Sequence, residues 1–206
     1  MIAVMVLSQI IQSMLQSRFT KYSRVPTTNG MTGAEVARKM LHDHGITDVK
    51  VTCIPGRLTD HYNPQTKTVN LSEEVYNQSS VAAAAVAAHE CGHVVQHAKG
   101  YLPLRIVQWV LLAGVILVSM FHSYPVLIFG VILFAMTTLF SFVTLPVEIN
   151  ASHRAVNWLE SAGITNYETR PMAIDALKWA AYTYVIAAVG SLATLLYYLS
   201  FLNDRR

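Results

Sequence analysis

His89-Glu90-Cys91-Gly92-His93 sets two imidazoles four residues apart, with a carboxylate beside the first. On an α-helix this spacing puts both histidines on one face, where each can offer a ring nitrogen to a single Zn²⁺ while Glu90 stands next to the open coordination position. The chemistry this permits is amide hydrolysis. Two neutral histidines leave the metal enough positive charge to acidify a bound water, and the adjacent carboxylate takes the proton and passes it to the leaving amine. The motif fixes only three residues, so its surroundings matter. Residues 82–88 read AAAAVAA, small side chains that let other elements approach the histidine face closely. Two histidines and a glutamate on such a face are costly to bury unpaired, and a metal removes that cost.

The element that must position these groups is a helix over 81–98, with Ser80 as its cap and Gly100 suited to a left-handed stop. Cys91 falls on roughly the opposite side, as a small packing residue. His97 continues the four-residue spacing, but two helical turns separate it from His89 by about 12 Å along the axis, too far to share one ion. It reads as a structural or channel-lining residue. His42 and His44, at a charged helix end, read as surface residues.

A third ligand has to come from elsewhere, and the charge distribution indicates where. The chain has 206 residues, 53% hydrophobic and 13% charged, and no acidic or basic residue lies between Arg105 and Glu148, from Trp179 to Asn203, or from Met1 to Ser17. Such runs mark a membrane protein. Residues 106–145 fit a transmembrane hairpin of two spans of about 20 residues each, turning at His122-Ser123-Tyr124-Pro125, with Trp109, Phe121 and Tyr124 near the interfaces. A hairpin returns the chain to the side it left, so Glu148 comes back to the compartment of His89 and His93. Pro146 is expected to open a helix through Ala151, Ala155, Trp158 and Leu159 to Gly163, with Glu148 in its first turn. Glu148 could complete a two-histidine, one-carboxylate site with water fourth. His153 competes for that place, though a carboxylate fits the two-histidine peptidase pattern better. The other reading of Glu148 is a carboxylate favoured at a helix N-terminus by the macrodipole.

The remaining segments follow. Residues 1–17 form a short N-terminal helix that spans the membrane or lies in its interface, with a polar stripe at Gln9, Gln12, Ser13 and Gln16. Residues 18–105 form an α+β segment. In it, Thr32 to Glu35 is a capping box, Val49, Val51 and Cys53 alternate as a strand, and Leu58–Tyr62 with Lys67–Leu71 read as a hairpin turning at Asn63-Pro64-Gln65-Thr66. The hairpin edge could hold an extended peptide over the metal, or be an ordinary solvated edge. Residues 146–178 form a second helical segment, and a last helix, starting near Pro171, spans the membrane over 179–203. Tyr182, Tyr184, Tyr197 and Tyr198 read as aromatic belts. Ten of the fifteen Lys and Arg residues fall in 18–105 and three in 146–178, with Arg205 and Arg206 at the C-terminus. The positive-inside rule thus places both segments in the cytoplasm. A net charge of +3 without a basic, aromatic-interleaved block points away from nucleic acid, and two cysteines, Cys53 and Cys91, give no disulfide framework. The fold class expected is mainly α and multi-pass, with a small α+β cytoplasmic segment.

The chain resembles the bacterial membrane-bound neutral zinc metallopeptidases of YugP type. The resemblance rests on Lys21-Tyr22-Ser23-Arg24-Val25-Pro26, Thr32 to Arg38, Leu58-Thr59-Asp60-His61-Tyr62, Leu71-Ser72-Glu73, the H-E-C-G-H run with Gln96-His97, and Leu145-Pro146-Val147-Glu148 followed by Ala151-Ser152 and Arg154-Ala155. It covers nearly everything from Lys21 to Tyr198, and the N-terminal span is shorter than is usual there. That family is similar in layout to HtpX-type and CAAX-prenyl membrane proteases. The resemblance implies His89, His93 and Glu148 as ligands of Zn²⁺ and Glu90 as catalytic base, in a gluzincin-like arrangement. Those relatives commonly carry Asp four residues after the glutamate; here that position is Ser152, so the role of that Asp does not carry over.

The resulting expectation is a membrane zinc endopeptidase in the bacterial cytoplasmic membrane, facing the cytoplasm and cleaving membrane or membrane-proximal polypeptides. Arg154, His153 or Tyr62 would stabilise the oxyanion. Its partners are the polypeptide substrate and the lipid bilayer, and the sequence sets no oligomeric state. The rival of another class is a non-catalytic zinc-binding membrane scaffold or sensor. A site-2 type peptidase would take its third ligand from an Asp in a later span, and the charge-free runs hold none. A di-iron bundle needs two Glu-x-x-His motifs, and Glu90 to His93 supplies one.

Overall fold

The computed structural model describes residues 2–100 and 126–203. The first span of the expected hairpin and its turn at His122–Pro125 lie outside the described residues, as do Arg205 and Arg206. The described chain is mainly helical with one small sheet. Its elements are α1 (Ile2–Tyr22), α2 (Gly33–Asp43), β1 (Lys50–Ile54), β2 (His61–Asn63), β3 (Thr68–Ser72), α3 (Glu73–Asn77), α4 (Val81–Ala98), α5 (Val126–Ser161) and α6 (Arg170–Asn203).

The motif helix α4 is the central element, and its ends are where the capping chemistry puts them. The Ser80 hydroxyl accepts from the Ala83 N–H, a cap contributing about 1 kcal/mol, and Gly100 turns left-handed with φ 61° just past the helix. The alanine run is buried along its length because α2, α3, the sheet, α5 and α6 all close on it. Cys91 faces away from the histidines and donates to the Ala37 carbonyl at 3.6 Å. Burial pushes its thiol pKa up, which suits a packing residue rather than a metal ligand.

The sheet runs in the order β1-β3-β2, with β1 parallel and β2 antiparallel to β3. The capping box of α2 is formed by both bonds, Glu35 N–H to Thr32 Oγ1 and Thr32 N–H to Glu35 Oε2. The hairpin is present and turns at Asn63, whose side chain accepts from the Gln65 and Thr66 N–H groups. Its first strand is shorter than expected. Leu58 adopts a positive φ, and Asp60 bends inward to accept from Ser72, so pairing begins only at His61.

Pro146 does not open a helix. It lies inside α5, which continues unbroken from Val126 to Ser161. In an apolar setting a helix that stopped here would strand several backbone groups, whereas running through a proline forfeits one bond. In the preceding turns the Ser141 and Thr144 hydroxyls donate to the carbonyls of Thr137 and Ser141. Beyond Pro146 the helix enters the core through Val147, Ala151, Ala155, Val156 and Leu159, and Trp158 Nε1 donates to Asp43 Oδ2 of α2 at 3.2 Å.

Phe134–Ser161 and Arg170–Tyr197 are each long and apolar enough to cross a membrane. The start of α6 is buried at Ala173, Ala176 and Leu177, while Val189, Leu192 and Leu196 are exposed. Helix α1 extends past the expected residue 17 to Tyr22 and lies antiparallel along α6. At one end Tyr22 Oη donates to Asp175 Oδ2 at 2.7 Å, with Arg18 Nε 3.4 Å from the same oxygen. At the other, Val4 fits against Gly190, where a Cβ would lie 2.9 Å from Val4 Cγ1.

Candidate metal centre

Three donor groups converge between α4 and α5. His89 Nε2 and His93 Nε2 are 3.2 Å apart, and Glu148 Oε2 lies 3.3 Å from the first and 3.5 Å from the second. Among the described residues, these three form the group of His, Cys, Asp and Glu side chains able to share one ion. The separations fit zinc: a tetrahedron with arms of about 2.0–2.1 Å has edges of about 3.3 Å. The chemistry also requires a cation or proton there, because Glu148 Oε2 is buried and accepts no hydrogen bond. Burial works against a charged His93 ring, but the Glu148 and Glu90 carboxylates prevail and raise its pKa to about 9. A metal entering this site competes with that proton.

The helix crossing that makes the site possible depends on Gly92. A Cβ there would lie 2.7 Å from the Ala151 carbonyl oxygen, so no other residue lets α5 come this close. That approach brings Glu148, one turn before Ala151, onto the histidine face. The same crossing supplies groups that fix the ring orientations. Gln96, fully buried, accepts from His93 Nδ1 at 3.0 Å and donates from Nε2 to the Val147 carbonyl at 2.8 Å and Asn150 Oδ1 at 3.0 Å. Ser152 Oγ lies 3.1 Å from His89 Nδ1. With both Nδ1 atoms engaged, both Nε2 atoms are free to ligate. Ser152 thus meets His89 through a neutral hydroxyl.

Glu90 is buried and lines a cavity of about 180 Å³ together with His89, Asp60 and Tyr184. Asp60 is held by the Ser72 N–H at 2.7 Å and hydroxyl at 3.1 Å. Burial raises its pKa despite those bonds, with the Glu90 charge adding to the rise. Asp60 stood in the Leu58–Tyr62 stretch and Tyr184 among the tyrosines read as an aromatic belt, but neither reading pointed to this cavity, which each residue reaches only through tertiary packing. Gln96 did have a local signal, lying one turn beyond His93 on the same face.

The other expected site residues are dispersed. Arg154 Nε donates to Asn150 Oδ1 at 2.7 Å, behind Gln96. Tyr62 stands edge-on to His97 with centroids 6.1 Å apart, near the exposed end of α4. His153 is exposed and lines a separate apolar cleft of about 370 Å³ between α5 and α6 that also borders Glu148. None of the three lines the cavity that holds Glu90. His97 lies apart from the ligand trio, as its axial distance predicts.

Comparison with known proteins agrees with this centre. Residues 1–203 match the family described as "Putative neutral zinc metallopeptidase". The chain is also 40% identical over 219 residues to the "Putative membrane protease YugP" of Bacillus subtilis (strain 168), covering 99% of this chain and 96% of the relative. No solved structure matches. With zinc as its cofactor and three converging side chains that fit the ion, the chain belongs to the YugP-type family of neutral zinc metallopeptidases.

Proposed function

We propose that the protein is a membrane-embedded zinc endopeptidase that hydrolyses peptide bonds of membrane or membrane-proximal polypeptides. The observation that carries this reading is the convergence of His89, His93 and Glu148 beside a buried Glu90 that opens into a cavity. When bound, zinc would supply a Lewis acid that polarises the scissile carbonyl and acidifies the attacking water. His89, His93 and Glu148 would hold it, with Ser152 and Gln96 engaging both Nδ1 atoms so that both Nε2 atoms aim inward. Glu90 accepts the proton of the attacking water and delivers it to the leaving nitrogen as the C–N bond breaks. Strand β2 is at the sheet edge and packs against α4, so an extended peptide pairing with it would run alongside the motif helix. The exposed apolar sides of α1, α5 and α6 support a multi-pass position in the bilayer, and the surplus of Lys and Arg in 18–105 supports a cytoplasmic catalytic face.

Glu90→Gln tests the reading. The variant is expected to keep its zinc and lose cleavage of a mixed-sequence internally quenched peptide library by at least about 100-fold, the scale of general acid–base catalysis. A metal that only staples α5 to α4 would leave Glu90→Gln and wild type indistinguishable, and that result would favour the scaffold reading.

A further inference from the structure

The cavity beside Glu90 contains one group that this mechanism leaves without a task. Tyr184 sits in the charge-free part of α6, where an aromatic residue ordinarily anchors a span at the interface. Here it lines the 180 Å³ cavity with His89, Glu90 and Asp60, and its hydroxyl is placed to donate to the Glu148 carboxylate, with Glu90 also close by. Tyr182, two positions earlier, takes the opposite side of the helix: it borders the α5–α6 cleft and meets Trp179 edge-on at 5.4 Å. One tyrosine of the pair therefore belongs to the site and the other does not.

Several polar groups lining this cavity already have partners. The Thr183 hydroxyl donates to the Ala180 carbonyl at 2.6 Å, His89 Nδ1 is engaged by Ser152, and Asp60 accepts from Ser72. The carboxylate of Glu90 can take a proton but repels a developing negative charge. A hydrolytic site also needs a donor aimed at the oxygen that becomes negative when the carbonyl is attacked, and such a donor is worth most inside a small, water-poor cavity. A phenol meets that need because it stays neutral at pH 7 and keeps its O–H.

We propose that Tyr184 is a catalytic residue of this site, donating its phenol hydrogen bond to the oxyanion of the tetrahedral intermediate. The inference rests on the peptidase reading above. In the addition step the water oxygen bonds to the carbonyl carbon, the carbonyl π pair moves onto oxygen, and Glu90 takes the water proton. The Tyr184 hydroxyl turns from Glu148 to the new oxyanion without giving up its proton. In collapse the oxyanion pair re-forms the carbonyl, the C–N bond breaks, and the proton on Glu90 passes to the amine. The hydroxyl thus contacts the charge that exists only between the two steps, so its loss should lower kcat and leave KM nearly unchanged.

The experiment compares zinc-loaded wild type with Tyr184→Phe, which keeps the ring and removes only the hydroxyl, and with Tyr182→Phe and Glu90→Gln as controls. Zinc content is measured for each. The quenched peptide library gives kcat and KM, and calorimetry gives the affinity of a phosphinic peptide, a tetrahedral mimic, against its ketomethylene isostere, which retains a planar carbonyl. Tyr184→Phe is expected to keep one zinc, lose about 100-fold in kcat, and lose phosphinic-peptide affinity while holding the isostere normally; Tyr182→Phe is expected to behave as wild type. Unchanged kcat and phosphinic affinity in Tyr184→Phe would overturn the proposal. So would a loss of zinc with equal weakening of both ligands, since Tyr184 would then only orient Glu148. If Glu90→Gln abolishes cleavage and Tyr184→Phe does not, this inference alone fails. If wild type neither cleaves nor binds the mimic, the peptidase reading fails and this one with it.

Discussion

At the scale of single residues, the site is a set of acceptors kept ready for a cation. Gln96 and Ser152 hold the two imidazoles by Nδ1, and each should be worth 10- to 100-fold, an order-of-magnitude expectation, in zinc affinity. Ser152→Ala is therefore expected to weaken zinc binding by about that factor in a chelator competition titration, while Ser152→Asp restores or improves it; equal affinity of all three would remove the orienting role. The raised pKa of His93 gives a pH dependence of definite sign. Below about 9 the ring holds a proton that zinc must displace, so affinity should tighten by roughly tenfold per pH unit from pH 7 toward 9 and then level off from this group's contribution. A flat profile over that range would contradict the coupling between His93 and Glu148. The two histidines and Glu90 were legible in the sequence because a helix converts a four-residue spacing into adjacency. Asp60 and Tyr184 were not, because nothing in their own neighbourhoods in the sequence points to the cavity they share with Glu90.

At the scale of elements, the decisive contact is the α4–α5 crossing. Gly92 was legible only as one letter of the motif, yet it sets how near α5 can come. Gly92→Ala should force the helices apart, lowering stability by about 1–3 kcal/mol through overpacking and costing zinc affinity through the displaced Glu148. Thermal unfolding and a zinc titration on the same samples check both. A variant with wild-type affinity would mean that Glu148 reaches the site by another route. Pro146 shows where a local rule lost to its surroundings. Proline favours the first turn of a helix, but in a long apolar run continuing the helix satisfies more of the backbone than restarting it, so α5 carries Glu148 in its interior rather than at its head. The macrodipole explanation of that carboxylate falls with the helix start. The capping box, the hairpin and the limits of α4 were all readable because their causes are local.

At the scale of the whole molecule, the charge-free runs pointed to the two helices that are long and apolar enough to cross a membrane, but the sequence did not say how they pack. α1 lies along α6 from Gly190 to Asp175, tied at its basic end by Tyr22 and Arg18. Orientation can be tested with a native reporter, since Cys53 is exposed and Cys91 buried. A membrane-impermeant maleimide is expected to label Cys53 in inverted vesicles and not in right-side-out ones; the reverse would place the site outside the cytoplasm. The central claim is that His89, His93 and Glu148 together hold one zinc, and it is tested most directly by metal content per chain in detergent-purified protein. Wild type and His97→Ala should each carry one zinc, and Glu148→Ala should carry little. Full occupancy in Glu148→Ala, or none in wild type prepared without chelator, would contradict the two-histidine, one-glutamate centre on which the mechanism depends.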